Sequence, residues 1–458
     1  MELYVDRKTK QIFAEPGPNR VKLGLFQQVD PLQTASLSDE PSDAKALADE
    51  LARMQQNLAL KQRELDARLD QIAKVSAPKQ SSSSKKTWLD TMSIRGYVQV
   101  RNNMTLGGDR HIRHQADRSV GENTNFIIRR ARLVFSGDVS DRLSYYFQPD
   151  FASSSGDTGN IAQLRDAYGD IHLTTDRVHR LRVGQSKIPF GFENLQSSQN
   201  RVALDRADAI NSCCKDERDQ GVFYYYTPQD KQEMFKYLTS NNLKGSGNYG
   251  LFALGVYNGT GANRSENNSS LHVVSRFTYP MKLDNGQIIE AGISAHTGTF
   301  KPNRSAIGGI TPTARSKTDG FSDKRVGLHA VLYPQPFGLQ AEWNWGRGPQ
   351  LNDERTEIKE SSLDGGYVQA MYKIDNLGGR FGTLIPFVKW QYFDGGQKFE
   401  TNAPRNKVND WELGFEWQPV PEIEFTAYYS ALDRTNVQSS PYEKYNSDLL
   451  RMQLQYNF

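Results

Sequence analysis

Between residues 91 and 218 the chain carries sixteen Arg and two Lys against fifteen Asp and Glu. From 219 to 458, eleven Arg and thirteen Lys face twenty-five acids. Net charge (18 − 15 = +3 and 24 − 25 = −1) separates the halves poorly, whereas the preference for Arg in the first is pronounced. A guanidinium stays protonated and offers a planar fork that matches phosphate or carboxylate. A row of such groups, each weak enough to release its ligand, would hand anions along a surface. The candidates are Arg95, Arg101, Arg130, Arg132, Arg180 and Arg182, paired at alternating positions, followed by Lys187 and by Arg201 and Arg206 beside Asp205 and Asp208. The competing reading is that these arginines only balance acids such as Asp166 and Asp170. Arg129, Arg130 and Arg132 cannot all face one side of a regular strand without a bulge, and the reading favours Arg130 and Arg132.

Other chemistry is weakly represented. "GISAH" (292–296) lacks the second Gly of a nucleophile elbow, and Ser294 and His296 stand roughly 6–7 Å apart as i and i+2 on one strand. An enzyme is therefore not the reading. "HIRH" (111–114) has no neighbouring Cys or carboxylate pair and reads as scattered surface histidines. Cys213 and Cys214 are adjacent; a vicinal disulfide is strained and two thiols make no metal site, so they read as loop cysteines without chemistry. No cofactor is implied. Seven His and a formal charge of +3 carry no signature of nucleic-acid binding.

The elements that must position the arginines are strands. Mean hydropathy is −0.67, and no stretch reaches the ~18 apolar residues of a spanning helix. Strands escape that test, because half their residues face water. In "LLRMQLQYNF" (449–458), Leu450, Met452, Leu454, Tyr456 and Phe458 share one face, and Arg451, Gln453, Gln455 and Asn457 the other. Sixteen such strands are expected, at about 93–103, 125–137, 142–152, 161–173, 178–188, 219–228, 249–258, 269–281, 286–299, 323–333, 337–347, 362–373, 382–394, 408–418, 421–433 and 448–458. Short connections (137–141, 174–176, 284–286, 334–336, 419–422) alternate with long polar ones (104–124, 300–322, 347–361, 434–447). One connection, 229–248, breaks the alternation. Trp343, Trp345, Trp390, Tyr392, Trp411 and Trp417 fall on the apolar faces, near strand ends where an aromatic girdle belongs, opposite Gln340, Glu342, Asn344, Lys389, Gln391, Glu412 and Glu416. Sixteen strands enclose too wide a space for side chains to fill. The apolar face must then look out into lipid, as in an all-β, 16-stranded antiparallel transmembrane barrel over 91–458.

Ahead of the barrel, residues 1–30 read as a small β element with a Pro-Gly-Pro break. Residues 44–76 are free of Gly and Pro and place Leu51, Leu58, Leu65 and Ile72 seven apart, a short coiled-coil helix favouring oligomers. Lys61 and Arg68 interrupt its second seam. Residues 77–90, with "SAPKQSSSSKK", read as a flexible linker. Met1 is followed by "ELYVDRKTKQ", without the apolar core of a signal peptide. For an exported protein this is the mature start behind an initiating Met; the alternative is a cytoplasmic protein.

"RRARLVFSGDVSDRLSYYFQPDF" (129–151), "LRDAYGDI" (164–171) and "LRVGQSKIPFGFENLQSS" (181–198) together resemble the phosphate-selective porins O and P, across most of the barrel in order. The resemblance implies a homotrimer of sixteen-stranded barrels in a Gram-negative outer membrane, surrounded by its lipid and lipopolysaccharide, passing small anionic solutes by passive diffusion. It implies that 189–218, between strands five and six, folds inward and narrows the pore. It also makes Phe458 an insertion signal and places the coiled-coil extension in the periplasm. Specificity for phosphate is a further step, because 189–218 mixes acids with bases and holds little Lys. The alternative function is a general, weakly selective porin whose stalk tethers it to peptidoglycan or a periplasmic protein.

Overall fold

The computed structural model describes residues 87–458, except 113, 115, 118, 122–125, 156–157, 317–318 and 436–442. It also describes three N-terminal strands and the helical positions 53, 56, 57, 60 and 61. The heptad residues Leu51, Leu58, Leu65 and Ile72 lie outside the described residues. The chain divides into two units, 1–85 and 86–458.

In the first unit, β1 (Glu2–Asp6) pairs antiparallel with β2 (Ile12–Phe13) and β3 (Arg20–Leu25), in the order β2-β1-β3. Tyr4 lies between Phe13 and Lys22 on its two neighbours.

The second unit is a closed barrel of sixteen antiparallel strands. Its first half is β4 (Ser93–Gly108), β5 (Phe126–Ser140), β6 (Leu143–Ser155), β7 (Thr158–His172), β8 (His179–Lys187), β9 (Arg218–Tyr226), β10 (Phe252–Tyr257) and β11 (His272–Lys282). After β12 (Ile288–Phe300), a two-residue strand, β13 (Thr313–Ala314), adds in parallel to β16 (Glu357–Tyr372). The remaining wall strands are β14 (Phe321–Leu332), β15 (Phe337–Leu351), β17 (Thr383–Gly396), β18 (Arg405–Val420), β19 (Ile423–Thr435) and β20 (Lys444–Asn457). Each overlaps one expected segment, although several run further toward the long loops. The last strand closes on the first, with Gln453 opposite Arg101 and Tyr456 opposite Val98. Closure leaves no open edge, which a hydrocarbon environment would not tolerate.

The polarity is inverted relative to a soluble barrel. Trp411 and Leu413 are 53% and 62% exposed, while Glu412 and Glu416 between and beyond them are 3% and 0% exposed. Apolar residues face outward and carboxylates inward, so the outer solvent is lipid.

Two inward segments occupy part of the interior. Residues 188–217, between β8 and β9, seat Ile188 and Phe190 against Phe223, Tyr225, Tyr257 and Val274, and Val202 and Leu204 against Met371, Ile385, Phe387 and Tyr428. The second segment explains the connection that broke the alternation. Within 227–251, α1 (Gln229–Ser240) begins after Pro228 and buries Lys231, Phe235 and Leu238, spaced four and three apart along one stripe. Phe235 and Leu238 meet Phe192, Ile288, Val331 and Tyr333. A folded helix, rather than a tight turn, occupies this end of the barrel.

Candidate functional site

The apolar side chains of both inward segments pack against β9–β19, while polar contacts join 188–217 to the first strands. Two cavities lie there. The smaller, about 80 Å³, is lined by Arg129, Arg130, Arg132, Arg165, Arg201, Arg206 and Arg218 together with Lys215, Asp205, Asp216 and Glu217. The larger, about 730 Å³, is lined by Arg95, Arg132, Arg182, Lys187 and Arg218, by Tyr146, Tyr168 and Tyr249, and by Lys236, Thr239 and Ser240 of α1. Arg132 and Arg218 line both, and so mark the neck between them.

Two bulges build this wall. The register of β4 with β5 shifts between Gln99 and Val100, which face Arg130 and Ile128, so Arg129 is the extra residue. Arg129 thereby joins Arg130 and Arg132 on the same cavity, its Nη2 donating to the Ala116 carbonyl at 2.8 Å. On β7 the same happens at Arg165, skipped where Gln148 and Pro149 face Asp166 and Leu164. Arg165 reaches Asp216 at 3.1 Å and Asp150 at 3.5 Å.

The expected arginines divide into two kinds. Arg95, Arg130, Arg132, Arg182, Lys187, Arg201 and Arg206 line one cavity or the other. Arg132 is held by Asp150 (2.8 Å), Tyr97 Oη (2.9 Å) and Ser198 Oγ (3.1 Å). Arg182 forks onto both oxygens of Asp170 at 2.7 and 2.9 Å and stacks over Tyr168 at 3.7 Å. Lys187 donates to the carbonyls of Asn194, Leu195 and Gln196 and lies 3.3 Å from Glu217, tying the inward segment to its own strand. Arg130 differs: its Nη1 donates to Gln99 Oε1 at 2.7 Å, its Nε is buried without a partner, and it has no carboxylate partner among the described residues.

Arg101 and Arg180 line neither cavity. Arg101 is fully buried and bonded to Asp117 at 2.6 Å and Asp205 at 2.8 Å. Arg180 donates to the Asn248 carbonyl and stacks on Tyr225 at 4.8 Å. Both read as pore cations from strand parity, and both are held within the protein.

Acids of the loops are charged despite their surroundings. Burial would raise the Glu217 carboxyl, but Lys187, Arg218, Arg201 and Arg206 hold it well below its ordinary value. The Asp205 carboxyl is likewise raised by burial, and Arg101, Arg451 and Arg129 together bring it below its ordinary value.

Two expectations about other side chains need correction. His114 is not a surface histidine: it is buried beside Asp208 and Asp410, brought from the inward segment and β18. Arg434 donates to both of those carboxylates, so a protein cation already sits between them. The same holds for His272, His296 and Asp323, where Lys398 donates to Asp323. Cys213 and Cys214 are not loop thiols without a bond but a vicinal disulfide, buried against Phe190 and Phe223. Ser294 Oγ accepts the Gly191 N–H, and His296 Nε2 lies 3.5 Å from Cys213 Sγ, so the pair forms no nucleophile and base.

The sequence reading sets Arg129 aside in favour of Arg130 and Arg132, and Arg165, Arg218 and the tyrosines escape it. Arg129 and Arg165 sit at bulges, which parity does not reveal, and Arg218 stands at the first position of β9.

No curated protein matches the chain closely. Among solved structures, the OmpF porin of Salmonella typhi aligns with a TM-score of 0.51 at 14% identity, over 80% of this chain and 97% of that one. The outer membrane channel DcaP of Acinetobacter baumannii aligns with a TM-score of 0.49 at 16% identity, over 80% and 97%. An anion-selective porin from Comamonas acidovorans aligns with a TM-score of 0.45 at 11% identity, over 80% and 99%. The model of the family described as phosphate-selective porin O and P matches residues 98–458, nearly the whole barrel, and the chain belongs to that outer-membrane porin family.

Proposed function

We propose that this porin is a passive channel with a preference for small anions, and that the path runs along the arginine wall of β4–β9. The observation that carries the reading is Arg130, buried in the smaller cavity among Arg129, Arg132 and Arg201 with no carboxylate of its own. A hydrated anion entering there meets an uncompensated guanidinium, then the neck cations Arg132 and Arg218, then Arg182 and Lys187. Asp150, Asp166, Asp170 and Glu217 neutralise much of the wall and keep each site weak enough to release its ion. Phosphate and small carboxylates share the planar or tetrahedral oxygens that such forks recognise.

The test is the single-channel reversal potential across a KCl gradient, followed by titration with phosphate. An anion-selective potential with saturable phosphate block, removed in Arg130→Ala/Arg132→Ala, supports the reading. A potential near zero, unmoved by phosphate, leaves a general pore.

The assembly belongs to the same proposal: three barrels, joined also by a periplasmic coiled coil through Leu51, Leu58, Leu65 and Ile72, whose seven-residue spacing supports it. Peptidoglycan or a periplasmic protein is the partner such a stalk would reach. Deleting 2–86 should leave conductance unchanged while weakening trimers or envelope attachment; unchanged trimers and an intact envelope would remove the stalk from the account.

A further inference from the structure

On the outer surface, Lys324 of β14 and Arg347 of β15 are direct cross-strand partners, and both side chains are exposed. Two like charges in this relation repel, and a charge on the lipid face of a barrel is unfavourable except near the interface. Neither has an ion pair among the described residues. The nearby acids are engaged or set apart: Asp394 is taken by Arg405 and Lys407, Glu360 accepts the Ser322 N–H, and Asp364 lies opposite Trp345 rather than opposite either cation.

The pair caps a groove. Leu254, Ser275, Ala295, Val326 and Trp345 are partners in turn across β10, β11, β12, β14 and β15, and form one row. Val273, Thr297, Lys324 and Arg347 form the next row toward the long loops. Small Ser275 and Ala295 lie between bulky Leu254 and Trp345, which leaves a trough of about 410 Å³ on the outer surface. An apolar trough thus runs below two unpaired cations and a hydroxyl, at the end of the wall that carries the long loops.

We propose that this face binds a phosphorylated lipid of the outer leaflet, its phosphate held between Lys324 and Arg347 and one acyl chain lying in the trough. The assignment goes beyond conduction and rests only on the outer-membrane placement. An ammonium and a guanidinium on directly opposed residues suit a single phosphate, which supplies the missing countercharge. The trough accounts for the small residues between Leu254 and Trp345, which a bare hydrocarbon face would not require.

The experiment is native mass spectrometry of the full-length protein in detergent, with added lipid A bearing its phosphates and with a phosphate-free form. Phosphorylated lipid A should remain bound, and Lys324→Ser/Arg347→Ser should weaken binding by at least about tenfold. Lys282→Ser, at the short-turn end of β11 and away from the trough, should not change it. Ala295→Phe, which fills the trough and leaves both cations, should also weaken binding. Heat-modifiable mobility on gels verifies that each variant is folded. Equal retention of the phosphate-free lipid, or undiminished binding in the double variant, overturns the proposal. So does a disulfide between two copies formed through Ser275→Cys, which would make this face a subunit contact.

Discussion

Arg101 and Arg451, on the first and last wall strands, donate to the same two carboxylate oxygens: Asp117 Oδ2, at 2.6 and 2.5 Å, and Asp205 Oδ2, at 2.8 and 2.5 Å. The seam that closes the barrel is therefore also the clamp that holds a long loop, through Asp117, and the inward segment, through Asp205. All four groups are buried, so the attraction acts with little screening by water. Such a cluster favours one arrangement of the segments it joins, because any displacement strands a buried charge.

Removing one partner of this cluster should be severe. Arg451→Met leaves two carboxylates to Arg101 and the more distant Arg129, at 3.9 and 3.8 Å, and a loss of about 3–5 kcal/mol is expected. The denaturant midpoint for loss of the heat-modifiable form reports it. A shift no larger than that of Lys282→Ser would show that the seam does not depend on this clamp.

Arg130→Ala should act in the opposite way. Its guanidinium has no acid to strand, so stability should change little while anion preference falls. Removing one unit charge at about 4 Å from a hydrated ion changes its energy by about 1 kcal/mol, or about fivefold in permeability ratio. Reversal potentials before and after the change measure this. Arg182→Ala should do more, because it also bares Asp170; an unaltered potential in both variants would remove the wall from the selectivity account.

Acid should release the contacts of Glu217, Asp205 and Asp117 only at low pH. The folded Glu217 carboxyl lies below its ordinary 4.5, as the Asp205 and Asp117 carboxyls lie below 3.8. For a depressed folded value, the stabilisation is complete above the unfolded value and disappears as pH falls through the folded one. Open-channel conductance should thus be steady from neutrality down to about pH 5 and become noisy or rise below pH 4. A transition centred near pH 6 would contradict the assignment.

Gly191 fixes where the inward segment leaves the wall. Its φ of +68° lies in the left-handed region, and an added Cβ would sit 1.8 Å from Glu342 Oε1. The same carboxylate's other oxygen accepts the N–H groups of Phe192 and Glu193 at 3.1 and 3.0 Å. Gly191→Ala should cost about 1–3 kcal/mol from the backbone alone and push the segment off its anchor. Larger or flickering single-channel currents are the expected outcome; wild-type traces would show that the anchor is not limiting.

Period-two alternation, with the polar face too large to be a core, was sufficient in the sequence to determine the barrel, its sixteen strands and the side that meets lipid. It also marked 229–248 as irregular, and the stripe of Lys231, Phe235 and Leu238 carried the helix that parity alone could not name. What parity cannot carry is a one-residue insertion, since a bulge turns a side chain to the other face without altering composition. Arg129 and Arg165 entered the cavity wall that way. Nor does local pattern say which inward cation finds a carboxylate. Arg101 and Arg130 are alike along the chain, yet Asp117 and Asp205 reach Arg101 from distant loops and none reaches Arg130. Only the folding of those loops into the barrel decided which arginine seals the seam and which is left without a carboxylate, because ion pairing acts over a few ångströms in space and not along the sequence.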